Sequence, residues 1–481
     1  MGANDFRHKA EQTIEWIADY LASVDDYPVR AQTRPGEIAA KLPALPPRTP
    51  EPFEAVMRDF RDIIMPGMTH WQHPRFFAYF QGNTSEPSIL AEMLISAVGA
   101  QCMSWETSPA ATELEIRVLE WLRDMVGLPD GFAGSIQDTA STASLCSLIA
   151  ARERATEGRG NEDGLSGGPT LTAYCSEEAH CSIERAVRLG GIGSQHLRRI
   201  PVDEHGAMNV TVLSERVRED IAGGARPAWV VASLGGTSYG AMDLVAPIAE
   251  VAREVGAWVH VDAAWAGSAL ILPELRHLAH GLELADSVVL NPHKWLFTNL
   301  HCSALFVRRA DEYVRAFAIQ PEYLKTRHGD AVVNFRDWGI QLGRRFRALK
   351  LWFVIRMFGV DELQRRIRQH IAWAERLAGA MQATPGFQVV TEPSLSLFTF
   401  RYVPDVGWPD PEVDAFNERL LMRINDAGRA YLSHTRVRGR YVIRFVVGQT
   451  NTTWEDVEIG WQEIRRCATE ETARPSASGG R

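Results

Sequence analysis

The chain has 481 residues, 45% of them hydrophobic and 23% charged, which is the balance of a folded protein rather than a disordered one. Its formal net charge of -9, from 51 Lys and Arg against 60 Asp and Glu, disfavours sequence-independent nucleic-acid binding, which needs a basic surface. No apolar run approaches the roughly 20 residues of a membrane-crossing helix, and the N-terminus lacks the basic-then-apolar order of a secretory leader.

Three stretches are expected along the chain. Residues 1–85 read as a helical and then extended arm. Phe6, Ala10, Ile14, Ile17 and Leu21 share a helical stripe, and five prolines between Leu42 and Phe53 forbid regular helix there. Such an arm has little core of its own and is expected to fold against another body, either the rest of its own chain or, as favoured here, a partner subunit. Residues 86–360 alternate helix and strand. Leu114, Val118, Leu122 and Met125 form a helical stripe closed by Gly127 and Pro129. The runs Leu171–Tyr174, Trp229–Leu234, Trp258–Val261, Ser287–Leu290 and Ala304–Val307 are apolar on both faces, as strands between two helix layers are. That alternation predicts an α/β layer with a mostly parallel sheet. Residues 361–481 read as a small α+β domain, with a disordered tail over 475–481.

Six cysteines are scattered without a C-x-x-C pair, so neither a zinc site nor a disulfide framework is suggested, and a reducing cytoplasm is the simplest setting. Only five residues are lysine: Lys9, Lys41, Lys294, Lys325 and Lys350.

Chemistry concentrates in the middle stretch. The apolar strand ending at Val261 runs straight into Asp262, and ligands in open α/β sheets bind beyond the carboxyl ends of strands. A turn or cap aspartate is the plainer alternative. The next apolar strand runs into Asn291-Pro292-His293-Lys294-Trp295. A lysine desolvated there becomes a nucleophilic amine able to form a Schiff base, whereas the bland alternative is a surface lysine with a buried stem. Asp138-Thr139-Ala140-Ser141-Thr142-Ala143-Ser144 opens an apolar helix, a natural anion cradle or simply a cap. Lysine, aspartate and cradle in this order describe a site for pyridoxal 5'-phosphate, which needs a Schiff-base lysine and an acidic partner for its ring nitrogen.

At this point the chain resembles a known family, the aromatic L-amino-acid decarboxylases, which are group II pyridoxal-phosphate decarboxylases of fold type I. The likeness runs from about Phe6 to Cys467. It rests on His70-Trp71 with Phe76-Phe77-Ala78-Tyr79-Phe80, Ser108-Pro109-Ala110 with Thr112-Glu113-Leu114-Glu115, Ala179-His180 with Ser182, Asn291 to Trp295, and Gly343-Arg344-Arg345-Phe346-Arg347. The resemblance implies a transferase-like seven-stranded sheet between helices and a homodimer with shared active sites.

It also implies roles. Lys294 carries the cofactor, Asp262 pairs with its ring nitrogen and Ala264 lies against the ring. His180 stacks on the opposite face and orients the substrate carboxylate. Thr139, Ala140, Ser141, Asn291 and His293 surround the phosphate, with Thr237 near the ring substituents. Tyr323, in a polar lid with His328-Gly329-Asp330, returns a proton to Cα; related aldehyde synthases lack this tyrosine. Trp71, Tyr79 and Phe80 match aromatic pocket positions. Gln81, Gly82, Gln101 and Met103 depart from the animal enzymes, and Gly343 matches a position where plant relatives use glycine for indoles. The implied reaction releases carbon dioxide from tryptophan, dopa, tyrosine or phenylalanine and leaves the amine. The alternatives are a decarboxylase of an acidic amino acid, which would want a basic pocket, and a non-catalytic binding subunit, which would be expected to have lost Lys294, Asp262 or Tyr323. No metal and no membrane partner are expected.

Overall fold

The computed structural model describes residues 3–319, 331–405 and 407–473. It divides into two compact units. One comprises Gly82–Ala372 and Pro393–Leu397; the other comprises Met1–Gln81, Trp373–Glu392 and Phe398–Arg481.

The first unit is built on seven strands: β1 (Ala133–Gln137), β2 (Leu171–Ser176), β3 (Leu197–Ile200), β4 (Arg226–Ser233), β5 (Trp258–Asp262), β6 (Ser287–Leu290) and β7 (Ser303–Val307). Their order is β1-β7-β6-β5-β4-β2-β3. The β3-β2-β4-β5-β6 pairings are all parallel, while β7 runs antiparallel to both β6 and β1. The sheet is thus mixed but mostly parallel, in the expected α/β class. Every residue of β2, β5, β6 and β7 is buried. That burial is why they read as uninterrupted apolar runs.

The helix Ala140–Thr156 crosses the sheet, and its Ala143, Leu148 and Ala151 pack with Trp229, Val231, Trp258 and Leu305 in one core. Burying each such large apolar side chain contributes about 1.5–3 kcal/mol. The helix Pro109–Val126 ends at Gly127 in the left-handed region (φ 74°), as its sequence foretold. Glu115 of that helix accepts from two nitrogens of buried Arg344, at 2.7 and 3.2 Å, and from the Ile136 amide at 2.8 Å. Two motif segments far apart in sequence thereby meet and pin β1.

The second unit holds most of a four-stranded sheet, β8 (Phe387–Ser394), β9 (Leu397–Tyr402), β10 (Ser433–Val437) and β11 (Arg440–Val446), in the order β10-β11-β9-β8. Helices Asp410–Asp426 and Trp454–Thr472 accompany it. Chain-proximal residues are stitched into this unit. The Val29 amide donates to Gly428 O at 2.8 Å, and the Phe77 amide donates to Tyr431 O at 2.9 Å. Phe77 stacks on Phe445 with centroids 4.3 Å apart. A Cβ at Gly460 would stand 2.7 Å from the Phe77 ring, so only glycine permits this approach. Among the described residues no helix is long and apolar enough to cross a membrane.

Candidate active site

The parallel order fixes where the chemistry gathers. β1, β2, β4, β5 and β6 point the same way, so the residues that follow them leave from one edge of the sheet. These are Thr139-Ala140-Ser141, His180, Thr237, Asp262 with Ala264, and Asn291 to Lys294. Such an edge is where open α/β sheets bind ligands.

Asp262, the last residue of β5, is 9% exposed. Its Oδ1 accepts the Ala264 amide at 3.1 Å, which turns the chain back under the edge. The Asn291 amide donates to Ala264 O at 2.9 Å, so the Asp262 and Lys294 segments are tied together. His180 caps the helix Cys181–Leu189, its Nδ1 accepting the Ser182 amide at 3.2 Å. Burial pushes the His180 pKa down; the Asp262 carboxylate opposes this shift and Lys294 adds to it, which places all three side chains in one electrostatic neighbourhood. With Nδ1 accepting, the neutral ring carries its proton on Nε2.

His293 and Asn291 are both buried, and in both the accepting atom is already used. The Cys302 amide donates to His293 Nδ1 at 2.9 Å, and burial, with the Lys294 charge beside it, pushes this histidine down to about 3. The ring is therefore neutral, with Nε2–H as its donor. The Ser303 hydroxyl donates to Asn291 Oδ1 at 2.6 Å, leaving Nδ2 to donate. Thr139 caps the 17-residue helix Ala140–Thr156 by accepting the Thr142 amide at 3.3 Å. The amides of Ala140 and Ser141 open that helix, where no preceding turn supplies acceptors.

Thr237 lies half-buried in the turn after β4. The hydrogen bond between Glu178 and Ser238 joins this turn to the His180 loop. In register with Asp262, Ser233 has a buried hydroxyl with no hydrogen-bond partner among the described residues.

Sequence reasoning did not single out Asn83. Its amide donates to His293 O at 3.1 Å, and its side chain donates to Lys294 O. Gly82 immediately precedes it. Elsewhere in the first unit, Gln101 Oε1 accepts the Arg344 amide at 2.7 Å, and the Gln101 Nε2 lies 3.3 Å from where a Cβ on Gly343 would stand. Met103 O accepts the Arg336 amide at 2.8 Å.

In the second unit, Trp71 stacks between Phe76 and Tyr79, and Trp71 and Tyr79 are 40% and 48% exposed. The Arg444 guanidinium lies 5.4 Å from the Phe80 ring centre. Gln81 is buried, its amide donating to Phe76 O and Val446 O at 3.0 Å. Tyr323 and the rest of its lid segment lie outside the described residues.

This edge fits pyridoxal phosphate. Donors from Asn291, His293 and a helix start suit a dianionic phosphate. A buried carboxylate suits a protonated ring nitrogen, and an orphaned hydroxyl at Ser233 awaits a polar partner.

The comparisons agree. The family described as pyridoxal-dependent decarboxylase conserved domain matches residues 35–403. The chain is 40% identical over 484 residues to the aromatic-L-amino-acid decarboxylase of Sus scrofa, covering 98% of this chain and 97% of that one. Its fold is similar to Oryza sativa TDC, crystallised with PLP and tryptamine (TM-score 0.95, 37% identity, 98% and 99% of the two chains). It is also similar to Rhodiola rosea 4-hydroxyphenylacetaldehyde synthase (TM-score 0.91, 32% identity, 98% and 99%). The chain belongs to the pyridoxal-dependent decarboxylases, carboxy-lyases whose cofactor is pyridoxal 5'-phosphate.

Proposed function

We propose that this enzyme decarboxylates an aromatic L-amino acid to its amine and carbon dioxide. The observation that carries this reading is the full-length likeness to aromatic-L-amino-acid decarboxylase, together with the stacked pair of Trp71 and Tyr79 and the neighbouring aromatic residue Phe80 in sequence. Aromatic walls suit a flat apolar side chain, and an acidic substrate would ask for cations instead.

The cofactor, when bound, supplies an electron sink for the breaking Cα–carboxylate bond. In this proposal Lys294 holds it covalently and Asp262 keeps its ring nitrogen protonated. Thr139, Ala140, Ser141, Asn291 and His293 hold the phosphate, Ala264 supports the ring, and Thr237 sits beside its substituents. His180, neutral with its proton on Nε2, donates to the substrate carboxylate and sets that bond's direction. Carbon dioxide leaves while the bonding pair stays on the Cα side, and the Tyr323 hydroxyl delivers the proton to Cα. Trp71, Tyr79 and Phe80 receive the substrate ring; Gln81, Gly82, Gln101, Met103 and Gly343 tune which ring is accepted.

We further propose that the enzyme works as a homodimer, with the N-terminal arm of residues 1–85 packed on the partner. Leu90, Met93, Leu94 and Val98 form an exposed apolar stripe on the helix Glu86–Val98, and Ile340 and Leu342 are exposed as well. A second copy would cover such a patch. Three linear domains, 1–85, 86–360 and 361–481, and a cytoplasmic location complete the proposal.

Aldehyde formation is the second reading, favoured by the likeness to the Rhodiola rosea enzyme; the presence of Tyr323 speaks against it. Carbon dioxide release, with product identification, across tryptophan, dopa, tyrosine, phenylalanine and glutamate tests the proposal. Amine from the aromatic substrates supports it, whereas turnover of glutamate alone, or of none, refutes it.

A further inference from the structure

A cavity of about 560 Å³ lies on the first unit, at the sheet edge opposite Asp262, where β5 and β6 begin and β7 ends. It is lined by four arginines, Arg154, Arg253, Arg308 and Arg309, against two carboxylates, Asp286 and Glu312, so its wall carries two more positive charges than negative ones.

The arrangement within the wall concentrates the charge. Three guanidiniums converge on one oxygen: Asp286 Oδ1 lies 2.9 Å from Arg154, 3.5 Å from Arg308 and 3.4 Å from Arg309. Glu312 takes Arg154 at 2.6 Å and Arg309 at 2.9 Å. Asp286 is itself committed to the fold, since its Oδ2 accepts the Val259 amide at 2.9 Å. Two carboxylates therefore serve three guanidiniums, and the Arg308 Nε is buried with no acceptor among the described residues. Arg253, the fourth arginine, has no ion-pair partner among the described residues. Arg253 is exposed, whereas the buried Arg308 Nε is costly without an acceptor, and one oxyanion can satisfy it while also taking the Arg253 guanidinium.

We propose that this cavity binds a phosphate-class dianion, with Arg253 and Arg308 as its principal donors. The dianion balances the excess of two charges, and its oxygens match the forked geometry of guanidinium groups. The site is separate from the cofactor's phosphate cradle, which lies at the other edge of the sheet.

Isothermal titration of the cofactor-loaded enzyme with inorganic phosphate, and in parallel with glycerol phosphate, tests this at constant ionic strength set by chloride. The expected result is saturable binding of one phosphate per chain. Arg253→Ala should weaken it about tenfold or more, the loss typical of a charge-assisted hydrogen bond. Arg308→Ala should weaken it similarly, and Arg216→Ala, outside the cavity, should leave it unchanged. Binding of the ester as well as the free ion identifies a cavity open to organic phosphates; binding of the free ion alone identifies phosphate itself. Absence of saturable binding, or equal binding by the Arg253→Ala and Arg308→Ala proteins, overturns the proposal.

Discussion

The side-chain amide of Asn83 donates to the backbone carbonyl of Lys294, 211 residues further along the chain, and its backbone amide holds the carbonyl of His293. A loop residue thus clamps the turn that presents the lysine. Asn83→Ala removes the donor to the Lys294 carbonyl while the backbone bond to His293 stays, at a cost of about 1–3 kcal/mol. We expect cofactor affinity, measured by titrating the apoenzyme, to fall accordingly. An unchanged affinity would make Asn83 a bystander.

The donors proposed to face the cofactor phosphate owe their direction to partners behind them. Ser303→Ala frees Asn291 to rotate, and His293→Leu deletes the Nε2 donor outright. Each should weaken cofactor binding, His293→Leu by roughly tenfold or more. Because His293 is held down at about 3, its protonation should not modulate cofactor affinity between pH 6 and 8. A titration near pH 6.5 that disappears in His293→Leu would contradict that assignment.

Acid stability follows from buried neutral histidines. Burial is the first cause in each case, and it pushes His73, His293 and His370 to about 3 and His260 to about 4. In the unfolded chain each binds a proton below about pH 6.5. The unfolded state therefore holds more protons, and stability falls as pH drops from about 6.5 towards 4. Each histidine contributes a slope of up to about 1.4 kcal/mol per pH unit. Asp243, raised to about 6 by burial, acts oppositely between about 4 and 6. Urea unfolding across pH 4–7 should show the net loss, and stability that is flat or rises on acidification would argue against it.

The proposed proton donor separates two chemistries. Tyr323→Phe should shift product from amine towards aldehyde, because Cα no longer receives its proton promptly and oxygen intercepts the electron-rich centre. Product analysis by mass spectrometry reads this directly, and an undiminished amine yield removes Tyr323 from the mechanism.

Much of this was readable from sequence because burial on two faces leaves a plain signature. β2 and β4 to β7 stand out as apolar runs, and two of them end in the charged residues that matter. β1 escaped notice because its Ala-Gly-Ser-Ile-Gln sequence carries a single large apolar residue. The edge strand β3 places two arginines in four residues, so it does not resemble a core strand. In the small sheet, β8 alternates with polar and half-exposed positions. The proposed cofactor contacts were legible as motifs, but the residues that orient them were not. Asn83, Cys302 and Ser303 act through hydrogen bonds, two of them through backbone amides, and such roles leave no mark on residue type. The Gln101 and Gly343 proximity likewise needed coordinates, since it depends on empty space beside a glycine.

The central claim is that one lysine of five carries the cofactor. Borohydride reduction of the native enzyme, followed by peptide mass mapping, tests it most directly. The account predicts the reduced cofactor on the peptide containing Lys294, and no label in Lys294→Ala. Label on Lys9, Lys41, Lys325 or Lys350 instead, or an active enzyme that takes none, would contradict it.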